Sequence, residues 1–176
     1  MTNTTNHNLS DELLMGYAAG ALPHAYDLVI ASHVSLSTDS RARLDGLEAV
    51  GGVLLHDAEP AELAPGSFEQ VMARINGDVA EDANWDAPET DPVCPAPLRD
   101  AIGGGLDAVV WRPIGMGVKQ AVIHDDEHGT ARLLSIPAGG EMPKHSHRGL
   151  ELTLVLKGAF RDEDGRYARG DIEEAG

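Results

Sequence analysis

The chain has 176 residues and 18.6 kDa, enough for one ordinary domain or two small ones. Acids outnumber bases 29 to 13, a formal charge of −16, and such a surface repels phosphate backbones and disfavours direct nucleic-acid binding. No apolar run approaches the roughly 20 residues that span a bilayer, Met1 to Asn8 lacks the basic and apolar regions of a signal peptide, and a single cysteine, Cys94, excludes an internal disulfide framework. The expectation is a soluble, acidic, cytoplasmic protein.

The charge is unevenly placed. Residues 1–95 carry 16 acids and three bases (Arg41, Arg43, Arg74), whereas residues 96–176 carry 13 acids and ten bases. Between the halves, Asp78–Pro97 is acidic and proline-rich, a composition that reads as a linker with Trp85 docking onto a neighbour. The resulting division is a helical domain over 1–77, a linker over 78–97 and a β domain over 98–176.

In chain order, Ser10 caps a helix through Asp11–Ala19, with Leu13, Leu14, Tyr17 and Ala18 at helical spacing and Gly20 as the stop. Pro23 turns the chain into a second helix, His24–Leu36, with Ala25, Leu28, Val29 and Leu36 on one stripe interrupted by Ser32. Asp39 is the expected cap of a third, whose predicted buried side is Leu44, Leu47, Val50, Val53, Leu54 and Leu55; Gly51-Gly52 weakens its continuity. Ser67 opens a short fourth helix with Phe68, Val71, Met72 and Ile75. Four short helices make a small core, one that needs a ligand, a partner or a neighbouring domain for full stability.

The second half reads as strands: Val109–Ile114, Val118–Ile123, Ala131–Ile136, Leu150–Leu156 and Arg166–Tyr167, bounded by glycine, aspartate and proline turns. With no helices between them they favour a sandwich or barrel. The fold class is therefore α+β: a small helical bundle followed by an antiparallel β domain.

His145 and His147 have the spacing that puts both imidazoles on one face of an extended strand, and Glu151 keeps the same parity. Leu150, Leu152, Leu154 and Leu156 then face the other way. Two imidazoles and a carboxylate suit zinc, manganese, iron or nickel; two surface histidines in a loop are the plainer alternative. His124 and His128 read as members of a solvated hairpin, Cys94 falls in the proline-rich stretch and reads as exposed, and Arg148 has Glu141 or a ligand carboxylate as candidate partners.

Gly139, His145, His147, Glu151 and Gly158 match the first cupin motif, G-x5-H-x-H-x3-E-x6-G. This resemblance implies a cupin-like antiparallel β-barrel, with His145, His147 and Glu151 holding one divalent metal, zinc by expectation. A second cupin motif would open at Gly170-Asp171. The chain stops at Gly176, so the barrel is expected to be truncated and its fourth ligand missing or supplied differently.

A cupin behind an acidic helical domain resembles the ChrR-type anti-sigma factors. Leu13-Leu14, Tyr17-Ala18-Ala19-Gly20, Leu22-Pro23, His33-Val34-Ser35-Leu36 and the run from His147 to Leu156 carry the likeness. The resemblance implies that the helical half sequesters an extracytoplasmic-function-type sigma factor. It further implies that the cupin half senses singlet oxygen or organic peroxide and promotes release. It also implies a structural zinc held by an N-terminal histidine plus H-x3-C-x2-C. His7 and His33 match the histidines, but Ser37 and Ser40 stand where the cysteines belong. Serine is a poor zinc ligand, so the expectation is a weak remnant at His7 and His33 without tightly bound zinc. A metal-dependent cupin enzyme (dioxygenase, isomerase or decarboxylase) and a small-ligand-binding cupin remain the alternatives. Against an enzyme stand the missing second motif and the scarcity of acid–base residues beyond Glu141, His124 and His128.

Overall fold

A computed structural model describes residues 7–77, 91–140, 149–162 and 165–176. His145, His147, Arg148, Glu141, Trp85 and most of the expected linker lie outside the described residues.

Among the described residues, five helices precede seven strands. Helix α1 (Asp11–Ala18) begins at Ser10, whose side chain accepts from the Leu13 N–H, and Asp11 and Glu12 complement the positive end of its dipole. Helix α2 (His24–Leu36) follows Pro23. Ser37 closes α2 and caps α3 (Thr38–His56), its hydroxyl accepting from the Ser40 N–H at 3.2 Å; Asp39, the expected cap, lies in the first turn instead. Helix α3 continues through Gly51-Gly52. Helix α4 (Ser67–Asn76) starts at Gly66, whose φ of 81° is a left-handed conformation favouring glycine. Helix α5 (Ala96–Ile102) had no counterpart in the sequence reading. It begins at the C-terminal edge of the expected linker, where Pro97 occupies the first turn and needs no N–H.

The strands are β1 (Arg112–Gly115), β2 (Val118–Asp126), β3 (Gly129–Ser135), β4 (Glu151–Leu154), β5 (Ala159–Arg161), β6 (Arg166–Ala168) and β7 (Ile172–Ala175). Among the described residues they form three antiparallel sheets, β1-β2-β3, β4-β7 and β5-β6.

The principal core joins the two halves. Leu9, Leu13, Leu14, Ile30, Val34 and Leu44 pack with Ile172 of β7, and Leu152 and Leu154 of β4 close the same cluster. In the β4–β7 ribbon Leu154 pairs with Ile172 and Leu152 with Glu174, so these four share one face. The Glu174 carboxylate on that face accepts from the Ser10 N–H at 2.6 Å. A second cluster sets Ala25 and Leu28 of α2 against Ala131 of β3, with Ile123 beside it. At Gly129, a side chain would bring its Cβ to 3.2 Å from Ala25 Cβ, tighter than ordinary packing. Helix α2 is thus covered by α-helical and β elements together. Ser32, which interrupts its apolar stripe, is buried with its hydroxyl donating to the Leu28 carbonyl at 2.8 Å.

Candidate functional site

Helices α3 and α4 carry apolar side chains that are exposed among the described residues. Only the first part of α3 behaves as the sequence suggests: Leu44 is buried and Leu47 packs against the core. Val50, Val53, Leu54 and Leu55 were expected to be buried, and they are exposed, Leu55 at 76%. The physical reason is length. The nineteen-residue α3 is longer than α1 and α2, so its C-terminal turns outrun the elements that would cover them. On α4, Phe68, Val71, Met72 and Ile75 fall at the i, i+3, i+4, i+7 spacing of one helical stripe, and all four are exposed, Phe68 at 68%. Isolated exposed apolar residues are ordinary; clusters of them on two helices consecutive in the chain mark interaction surfaces. This surface belongs to the half with the large acidic excess.

A second constellation is polar and buried. His33, Ser37 and Ser40 are essentially inaccessible. The His33 Nδ1 lies 2.9 Å from the Gly170 carbonyl oxygen, which only accepts, so Nδ1 carries the proton and donates. Nε2 is then the acceptor, and the Ser40 hydroxyl donates to it at 2.8 Å. The Ser37 hydroxyl donates to Asn8 Oδ1 at 3.0 Å. Burial pushes the imidazole below the ordinary histidine value, against an opposing pull from the Gly170 carbonyl. His7, the other expected zinc histidine, is placed differently. Its ring stacks on Tyr167 at 4.1 Å between centroids, and Tyr167 stacks on Phe160 at 4.8 Å. Its backbone joins the β7 end: His7 N–H donates to Asp171 Oδ1 at 3.2 Å and its carbonyl accepts from Ile172 N–H at 3.2 Å. One neutral imidazole with both nitrogens engaged and two hydroxyls is a donor set that does not fit structural zinc.

Of the expected cupin ligands only Glu151 is described. It opens β4 opposite Ala175, half-buried, and strand alternation puts it on the face opposite Leu152 and Leu154. Among the described residues no group of three histidine, cysteine, aspartate or glutamate side chains is placed to hold a metal. His124 and His128 sit at the β2–β3 hairpin as expected. There Asp126 accepts from the His124 imidazole at 2.9 Å and from the His128 and Gly129 N–H groups, which hold its carboxyl down at about 2. Cys94, expected to be exposed, is 2% exposed. The correction has a visible cause: Arg169 donates to the carbonyls of Pro92, Val93 and Leu156, drawing the segment before α5 onto the β domain.

Comparison with known proteins agrees with this architecture. Residues 101–173 match the model of the ChrR cupin-like domain. The chain is 49% identical over 172 residues to the anti-sigma-E factor ChrR of Cereibacter sphaeroides, covering 98% of this chain and 80% of that protein. The chain belongs to the ChrR family. A chain in the crystal structure of Rhodobacter sphaeroides SigE in complex with the anti-sigma ChrR superposes with a TM-score of 0.84 and 48% identity, covering 98% of this chain and 87% of that one. The α+β organisation, helices followed by a cupin-like half, is therefore the ChrR organisation. Among the described residues no helix is long and apolar enough to cross a membrane.

Sequence reasoning missed two features of the site. It put Val50, Val53, Leu54 and Leu55 on the buried side of α3, although they are exposed. It read His33 as a remnant ligand or a partly buried helix residue; what it missed is the partner, Gly170, 137 residues away in the chain, a separation that no local pattern reports.

Proposed function

We propose that the chain is an anti-sigma factor that sequesters an extracytoplasmic-function-type sigma factor in the cytoplasm. The observation that carries this reading is the set of apolar side chains exposed on α3 and α4 among the described residues, displayed on a strongly acidic half. Family membership supplies the class of partner, and the chemistry fits it. A sigma factor presents basic surfaces for DNA and polymerase, which an acidic module attracts, while the apolar stripes supply the buried contacts that hold the complex. The role is regulatory and assigns no catalytic residue.

The domain division proposed with this function is a helical anti-sigma domain over 1–77, a connecting segment over 78–97 and a cupin-like sensor over 98–176. In the sensor, His145, His147 and Glu151 are the proposed holders of one divalent metal, zinc. When bound, the ion supplies a Lewis-acidic position for a further ligand. Singlet oxygen or organic peroxide, sensed in this half, is proposed to weaken the grip on the sigma factor. The β4 strand suits such communication, since Glu151 lies on one face and Leu152 and Leu154 enter the shared core on the other.

The test is co-purification of the chain with a sigma factor of its own host, followed by exposure of the complex to a singlet-oxygen generator or an organic hydroperoxide. A one-to-one complex that dissociates on exposure, and resists when His145 and His147 are alanine, supports the full reading. A complex indifferent to both oxidants leaves sequestration standing and removes the stress signal. Absence of any complex removes the anti-sigma function.

A further inference from the structure

The buried polar set around His33 has no place in the sigma contact or in the cupin-like metal site, and its composition conflicts with the zinc that the family pattern leads one to expect there. Four side chains meet: Asn8 from the N-terminal arm, His33 from α2, Ser37 at the α2–α3 junction and Ser40 from the first turn of α3. The fifth member is the Gly170 carbonyl, in the turn leading into β7. A zinc finger-like node would tie such segments together by metal–thiolate bonds. Here neither thiol is present, and hydroxyls remain protonated where thiols ionise on zinc.

We propose that this node works without metal, as a hydrogen-bonded keystone that fixes the helical bundle and fastens it to the cupin-like half.

The proton assignments close consistently. The Gly170 carbonyl fixes the proton on Nδ1, leaving Nε2 to accept from Ser40. Ser37 gives its proton to Asn8 Oδ1 and receives the Ser40 N–H on the same oxygen. Every buried polar side-chain atom of His33, Ser37 and Ser40 has a partner, the condition under which burying such groups costs little. The two histidine positions of the family pattern both reach the Gly170–Asp171 turn: His33 through its ring, His7 through its backbone to Asp171 and Ile172. The keystone therefore spans the two halves as well as the bundle. It requires no sigma factor, and it stands or falls separately from the proposed partner.

The test combines metal counting with thermal unfolding of the full chain. Elemental analysis of the protein purified in zinc-supplemented medium is expected to give no more than one zinc per chain. That zinc is retained in His33→Ala and absent from the His145→Ala/His147→Ala/Glu151→Ala variant. The triple variant is expected to unfold at the same temperature with and without a strong chelator. Asn8→Ala, which strips Ser37 of its acceptor without touching a histidine, is expected to lower the midpoint by about 3–6 °C in chelator. Two zinc ions per chain, or one lost in His33→Ala, overturn the metal-free assignment. An Asn8→Ala midpoint equal to that of the unaltered chain overturns the keystone role. If the triple variant does not fold, the zinc count of the unaltered chain and of His33→Ala still decides the question.

Discussion

Leu154 on β4 lies directly across the ladder from Ile172 on β7, and both enter the core formed by α1, α2 and α3. The helical bundle therefore completes its core with strands from the far end of the chain. Three of the four short helices thus share a core with the neighbouring half.

Truncating Ile172, which is fully buried, removes a side chain from that shared core. Ile172→Ala is expected to cost about 2–5 kcal/mol, the range for large-to-small changes in a packed core. Far-ultraviolet circular dichroism, dominated by helix, and tryptophan fluorescence in a Trp85→Phe background, which isolates Trp111 of the β half, should report one shared unfolding transition. A helical signal that keeps its midpoint in the variant would show that the halves are stabilised independently.

Cys94 offers a probe of the contact between Arg169 and the segment before α5. Burial, with a smaller contribution from Asp91, raises its thiol above the ordinary value. At pH 8 the folded chain thus holds less thiolate than a free cysteine, and thiolate is the form that reacts. Alkylation is expected to be slow in the native chain and to rise with pH at higher values than for a model thiol. Arg169→Met removes the donors to Pro92, Val93 and Leu156 and is expected to accelerate alkylation at least tenfold. Equal rates in both proteins would show that Arg169 does not secure this segment.

Asp126 governs the acid behaviour of the β2–β3 hairpin. Its carboxyl is held at about 2, first by the His124 imidazole and then by the His128 and Gly129 N–H groups. A carboxyl whose folded value is depressed contributes stability above its unfolded value, ordinarily about 3.9, and that contribution disappears as pH falls through about 2. Nuclear magnetic resonance of the hairpin amides is expected to show Gly129 shifting over that acid range in the native chain and not in Asp126→Asn. A Gly129 shift unchanged by the substitution would contradict the assignment.

How far the sequence reveals this molecule depends on the range of the interaction. Ser10, Gly20 and Pro23 punctuate α1 and α2 locally, and those helices stand where the capping chemistry puts them. The α3 start shifted because Ser37, not Asp39, reaches the free N–H of Ser40. Helix α5 was hidden because Pro95 and Pro97 resemble linker residues, although proline is well suited to a first turn. Strand β7, Ile172-Glu173-Glu174-Ala175, has little intrinsic strand character and owes its conformation to pairing with β4. Apolar periodicity located the stripes of α3 and α4 correctly; whether a stripe is covered depends on what folds beside it. The parity argument for β4 put Leu152 and Leu154 on one face, and that face is the one packed against the bundle.

The proposed sequestration requires that the exposed apolar residues of α3 and α4 bind a sigma factor. Its most direct test is calorimetric titration of the purified chain with an extracytoplasmic-function-type sigma factor from the same host, alongside the Leu54→Asp/Ile75→Asp variant. Both residues are exposed, so the variant is expected to unfold within about 0.5 kcal/mol of the unaltered chain. A one-to-one complex is expected, with a dissociation constant that rises at least 100-fold in the variant. A complex of unchanged affinity in the variant, or no complex with the unaltered chain, would contradict it.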